Sequence, residues 1–222
     1  MSQSEAIIFL AENRKCYQTL NFRSFITLPT QNPEIKFDSI IKFADNTLSP
    51  QKSRELVAES DYIIIFLPLV GALEITDYSS SKLLNSGEIG IYYVNEKDEL
   101  SIQNPYESEL INYLEIWIKT CSNMVINPLF IEFDINNEKN KLVALQDSKR
   151  EVNLFIGKYD GRAEGYLEEI NEAFVFVING VFEVNNCLLE MRSGLSLLNW
   201  NSIEFEGLSK ENIILILSNK KP

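Results

Sequence analysis

Ala173–Trp200 reads AFVFVINGVFEVNNCLLEMRSGLSLLNW, and the punctuation of this stretch decides the fold. The runs VFVI, VFEV and CLLE are too short for helices and rich in β-branched and aromatic residues, so they are expected as strands. Asn179-Gly180 and Asn185-Asn186 separate them, and both pairs tolerate the positive φ of a two-residue hairpin turn. The expectation is an antiparallel meander leading into a fourth strand. Phe174 to Ile178 is apolar at successive positions, as in a strand covered on both faces.

Outward from this stretch the same signals recur, and the class is all-β. Ala6–Leu10, Phe22–Leu28, Ile35–Phe43, Asp61–Leu67, Ala72–Thr76, Ile91–Val94 and Leu100–Gln103 read as strands. So do Asn112–Lys119, Leu129–Phe133, Val152–Tyr159, Ile203–Phe205 and Ile213–Leu217. Ala44–Leu56, ADNTLSPQKSREL, reads as a loop, and YDGRAEGYLEE as a glycine-punctuated turn without the spacing of a phosphate loop. In NYLEIWIK, Leu114, Ile116 and Ile118 share one face. Asn127-Pro128 punctuates two strand-rich halves, giving domains 1–127 and 128–222.

The chain has 32 acidic against 20 basic residues, a net charge of −12, and its bases are scattered. Direct binding to nucleic acid is not expected, because counterion release needs clustered Lys and Arg. No apolar run approaches the roughly 20 residues of a spanning helix, and no membrane association is expected. A cytoplasmic protein is the expectation. Cys16, Cys121 and Cys187 are odd in number and widely spaced, and read as small buried hydrophobes rather than a disulfide or zinc framework.

At this point the residues resemble the pirin family of two-domain cupins. FRSFITL, FADNTLSP, LPLVGALEITD, NSGEIG and NYLEIWI fall in the order of its first cupin. FDINNEKNKLVAL, the stretch from Ala173 and IEFEGLSKENIILIL look like its second. The resemblance implies two tandem jelly-roll-like β-barrels. It also implies one metal in the first barrel, held by a His-x-His and a His-x-Glu pair. By relative position these pairs fall near Leu56 and Ala58, and near Leu100 and Ile102, and the chain contains no histidine. No metal and no cofactor are therefore expected, and the dioxygenase activity of some relatives is not carried over. Asp61, Glu74 and Glu88 are the carboxylates nearest by position, in a pattern that turns and solvent-facing strands also produce.

Without histidine, Ser triads and Cys–His pairs are excluded. A small-ligand site in the first barrel is expected from Tyr62, Ile64, Phe66, Glu74 and Tyr92, the last two at its mouth with Tyr106. Trp117 and Trp200 read as packing between sheets or domains. The functional expectation is a non-catalytic bicupin that binds a small molecule or a protein partner. The alternative is a metal-independent isomerase or lyase on a sugar or small acid, using Tyr and Glu in a barrel.

Overall fold

Residues 4–29, 40–120, 127–145 and 153–220 are described by a computed structural model. Their short apolar runs pair into four antiparallel sheets, and the one helical element among them is the single turn Ala11–Asn13. In chain order the strands are β1 (Glu5–Phe9), β2 (Lys15–Gln18), β3 (Phe22–Leu28), β4 (Ile40–Leu48), β5 (Ser53–Val57), β6 (Tyr62–Val70), β7 (Ala72–Thr76), β8 (Ser81–Asn85), β9 (Glu88–Val94), β10 (Glu99–Gln103), β11 (Ile111–Lys119) and β12 (Leu129–Glu132). There follow β13 (Leu142–Ala144), β14 (Asn153–Asp160), β15 (Glu164–Glu168), β16 (Ile170–Asn179), β17 (Phe182–Val184), β18 (Cys187–Leu189), β19 (Gly194–Leu198), β20 (Ser202–Gly207) and β21 (Glu211–Lys220).

Two compact units result. Lys15–Glu132 forms one, a sandwich of a seven-stranded sheet, β12-β9-β6-β11-β4-β3-β2, and a four-stranded sheet, β5-β10-β7-β8. The other joins the N-terminal segment through Arg14 to the chain from Phe133 onward, with sheets β1-β19-β16-β21-β14-β13 and β15-β20-β17-β18. The division expected after Asn127 therefore falls at Glu132, because β12 pairs with β9. The first 14 residues leave the N-terminal half because β1 pairs with β19, Glu5 lying opposite Leu198. Trp200 secures this arrangement, its indole N–H donating to the Glu5 carbonyl at 2.9 Å.

The stretch from Ala173 folds as strands but not as one meander. Asn185 and Asn186, with φ of 45° and 63°, make the expected hairpin between β17 and β18. Asn179-Gly180 is instead a corner: β16 pairs with β19 and β21, and β17 lies in the facing sheet. Gly180 takes φ of +81°, and a Cβ there would meet Asn212 Oδ1, Glu211 O and Ser209 Oγ at 2.5 Å each. Strand β16 is buried over nearly its whole length, which is why its run is apolar at consecutive positions.

Three further expectations change. Ala44–Leu56 is not a loop: Ala44–Leu48 completes β4 and Ser53–Leu56 lies in β5. The glycine-rich turn is confined to the residues between β14 and β15, so Glu164–Glu168 is a strand. Cys16 is exposed on the edge strand β2 and Cys187 is half-buried, rather than both being core residues, while Cys121 lies outside the described residues. Part of the expected strand Ile35–Phe43 also lies outside them.

Candidate functional site

Period-two alternation lays the interior of the first barrel out row by row. On β11 the inward residues are Ile111, Tyr113, Glu115 and Trp117; their register partners are Leu48, Asn46, Ala44 and Lys42 on β4. On the other side of β11, Trp117 lies opposite Ile64 and Glu115 opposite Phe66. The facing four-stranded sheet contributes Leu56, Leu73, Ile75, Leu84, Leu100 and Ile102 to the same apolar cluster.

The four positions assigned to metal ligands by resemblance all point into this cluster. Leu56 sits directly opposite Leu100, Ile102 is fully buried, and Ala58 packs beside them. Of the expected ligand-site residues, Ile64, Phe66 and Tyr92 belong to the same packed interior. Tyr92 meets Phe66 edge-on at 5.8 Å and Phe130 at 5.9 Å, and burial, with Asp77 adding to it, raises its phenol above the usual range. Tyr62 is half-buried with its ring 5.2 Å from that of Trp117. Glu74 faces the other way. Its neighbours Leu73 and Ile75 point inward, and its carboxylate accepts from Ser81 on the outer surface at 2.7 Å. Tyr106 is exposed on the segment between β10 and β11. Glu74 and Tyr92 thus do not converge on one point.

Sequence reasoning missed the polar centre of this barrel. Glu115 is completely buried and accepts four hydrogen bonds. Lys42 Nζ at 2.6 Å and the Trp117 indole at 2.7 Å share Oε1; Asn46 Nδ2 at 2.8 Å and Arg54 at 2.5 Å share Oε2. Burial pushes the carboxyl up, but the Arg54 and Lys42 cations outweigh it and hold Glu115 below the ordinary carboxylate range. Arg54 also donates to the Tyr113 hydroxyl at 3.4 Å and lies 4.6 Å from the centre of the Phe22 ring. Lys42 stands 5.1 Å from the Trp117 ring. The available signal was Glu115 itself, the one acid inside the apolar alternation of β11, on the face opposite Leu114, Ile116 and Ile118.

The second barrel is packed differently among the described residues. Its cluster is hydrocarbon and aromatic, with Tyr159, Phe182 and Phe205 in mutual edge-to-face contact at 5.0–6.2 Å. Burial pushes the Tyr159 phenol up to about 12. On the outer face of its smaller sheet lies a groove of about 710 Å³ lined by Glu164, Tyr166, Glu183, Glu204 and Glu206 among others. There Glu164, Glu206 and Glu183 stand directly opposite one another across three strands.

Comparison with solved structures now places this arrangement. YhhW from Escherichia coli aligns with a TM-score of 0.83 at 15% identity, over 98% of this chain and 99% of that one. The same bacterial pirin in complex with nickel(II) aligns at 0.83 and 17% identity, over 98% and 100%. The fold is that of a pirin-like bicupin. Quercetin 2,3-dioxygenase from Acinetobacter baumannii shares it more distantly, with a TM-score of 0.71 and 11% identity over 99% of this chain and 88% of that one. The sequence matches no family model and no curated protein.

The residues at the four positions that the resemblance assigns to metal ligands do not fit a transition metal. Leu56, Ala58, Leu100 and Ile102 offer no donor atom. Among the described residues no three His, Cys, Asp or Glu side chains are grouped closely enough to hold an ion. Asp61 instead accepts from the Glu96 amide, and Glu88 is paired with Lys82 and Asn85.

Proposed function

We propose that this bicupin works by binding, with a small-molecule or protein partner and in the cytoplasm, and performs no metal-dependent oxygenation. The observation that carries the reading is that Leu56, Ala58, Leu100 and Ile102, the positions that the resemblance assigns to metal ligands, are packed hydrocarbon. Arg54, on the same inward row of β5 as Leu56, is committed to the buried Glu115. Neither side chain is left to act on a substrate as a free acid or base.

The test has two arms. Protein incubated with nickel(II) or iron(II), desalted and analysed for metal is expected to retain a substoichiometric amount and to leave quercetin unchanged under oxygen. Stoichiometric retention together with turnover overturns the proposal. In the second arm, a panel of small molecules is screened by thermal shift; a ligand present at 100 times its Kd stabilises the folded state by about 2.7 kcal/mol.

A further inference from the structure

The polar centre of the first barrel is asymmetric in a way that charge neutralisation does not require. Three of the four groups satisfying Glu115, those of Lys42, Asn46 and Trp117, come from its own seven-stranded sheet. Arg54 alone comes from the facing four-stranded sheet. It sits on β5, which among the described residues is the edge strand of that sheet and pairs with β10 alone. The outward residues of β5, Ser53, Glu55 and Val57, are exposed; its inward grip rests on Arg54 and Leu56.

Among the described residues the core cluster of the second barrel is built of hydrocarbon and aromatic side chains, with Ile214 and Ile216 inward on β21. Apolar residues of similar volume often stabilise a core as well as a buried ion pair does, or better. What the pair adds is a directional, charge-assisted link from one sheet to the other.

We propose that Arg54–Glu115 is a latch holding the edge strand β5 closed over the interior of the first barrel. Leu56 and Ala58 follow Arg54 along the chain, so opening at β5 exposes the apolar cluster where the family's metal would sit. The inference does not depend on the barrel holding a ligand.

Hydrogen–deuterium exchange on the full chain tests it, comparing wild type with Glu115→Gln, Arg54→Met and Lys42→Met. Glu115→Gln and Arg54→Met are expected to lower protection of β5 and of its β10 partners roughly tenfold more than that of β6 and β11. Lys42→Met removes a cation from the same carboxylate without cutting the link between sheets. It is expected to change both sheets alike. Wild-type protection of β5 in Arg54→Met overturns the latch, as does a loss spread evenly over both sheets. Should Glu115→Gln fail to fold, Arg54→Met decides by these same outcomes.

Discussion

Replacing Ile102 by Ala tests directly whether the first barrel is filled. Ile102 is 0% exposed and lies on β10 between Arg54 of β5 and Ile75 of β7. Truncating a fully buried Ile to Ala costs about 2–5 kcal/mol, from lost transfer energy plus the cavity left behind. At roughly 2–4 °C per kcal/mol for a chain of this size, a loss of about 3 kcal/mol lowers Tm by about 6–12 °C. The chain has two tryptophans, Trp117 in the unit that contains Ile102 and Trp200 in the other. Urea titration followed by fluorescence in a Trp200→Phe background therefore reports on the right barrel. Leu20→Ala, at a position 93% exposed, is the control and is expected to stay within about 0.5 kcal/mol. A loss below about 1 kcal/mol for Ile102→Ala means that the side chain faces open space. The filled-barrel argument, and the proposed function with it, would then be refuted.

Acid should act on the first barrel through Glu115. Its folded-state pKa is depressed below the unfolded value of about 4.3, so its contribution is complete above that pH and is lost as pH falls through the folded value. Urea midpoints measured from pH 7 downward should stay level for this contribution until about pH 4, then fall more steeply in wild type than in Glu115→Gln. Gly180→Ala should destabilise the second unit by more than about 1 kcal/mol, since it needs φ of +81° and meets three oxygens at 2.5 Å; thermal melts read by Trp200 check it. Glu183→Gln should raise stability by a few tenths of a kcal/mol by removing a like-charge pair with Glu206. That gain should shrink in high salt, which a melt in about 1 M sodium chloride measures.

The β class and most strand positions were legible, because short apolar runs bounded by Asn, Gly and Pro have few other solutions, and the bicupin fold was legible through the resemblance to the pirin family. Apart from the hairpin at Asn185-Asn186, the pairing partners of those runs were not. Asn179-Gly180 has hairpin chemistry, yet the Asn212 side chain accepts from the Val181 amide and helps hold the corner that sends β17 to the other sheet. Ile64 and Phe66, which share a parity on β6, lie in the buried interior of the first barrel, and so does Tyr92, expected at its mouth. The polar part of the site was hidden in Ala44–Leu56, where Asp45, Asn46, Lys52 and Arg54 look like loop composition. Asn46 and Arg54 are strand residues paired with Tyr113 and Ile102, about 50–70 positions later in the chain, and their side chains donate to Glu115. Local propensity carries no information about a partner that distant.

The exchange of terminal strands has a consequence for vectorial synthesis. Glu5 must wait for Leu198 before β1 can find its neighbour, which at about 5–20 residues per second is a delay of roughly 10–40 s on the ribosome. Lys15–Glu132 has all of its sheet strands long before then. The nascent chain is thus expected to mature from the middle outward, trailing an unpaired leading segment until the last third emerges. A bulky fusion ahead of Glu5 would burden the half of the protein made last.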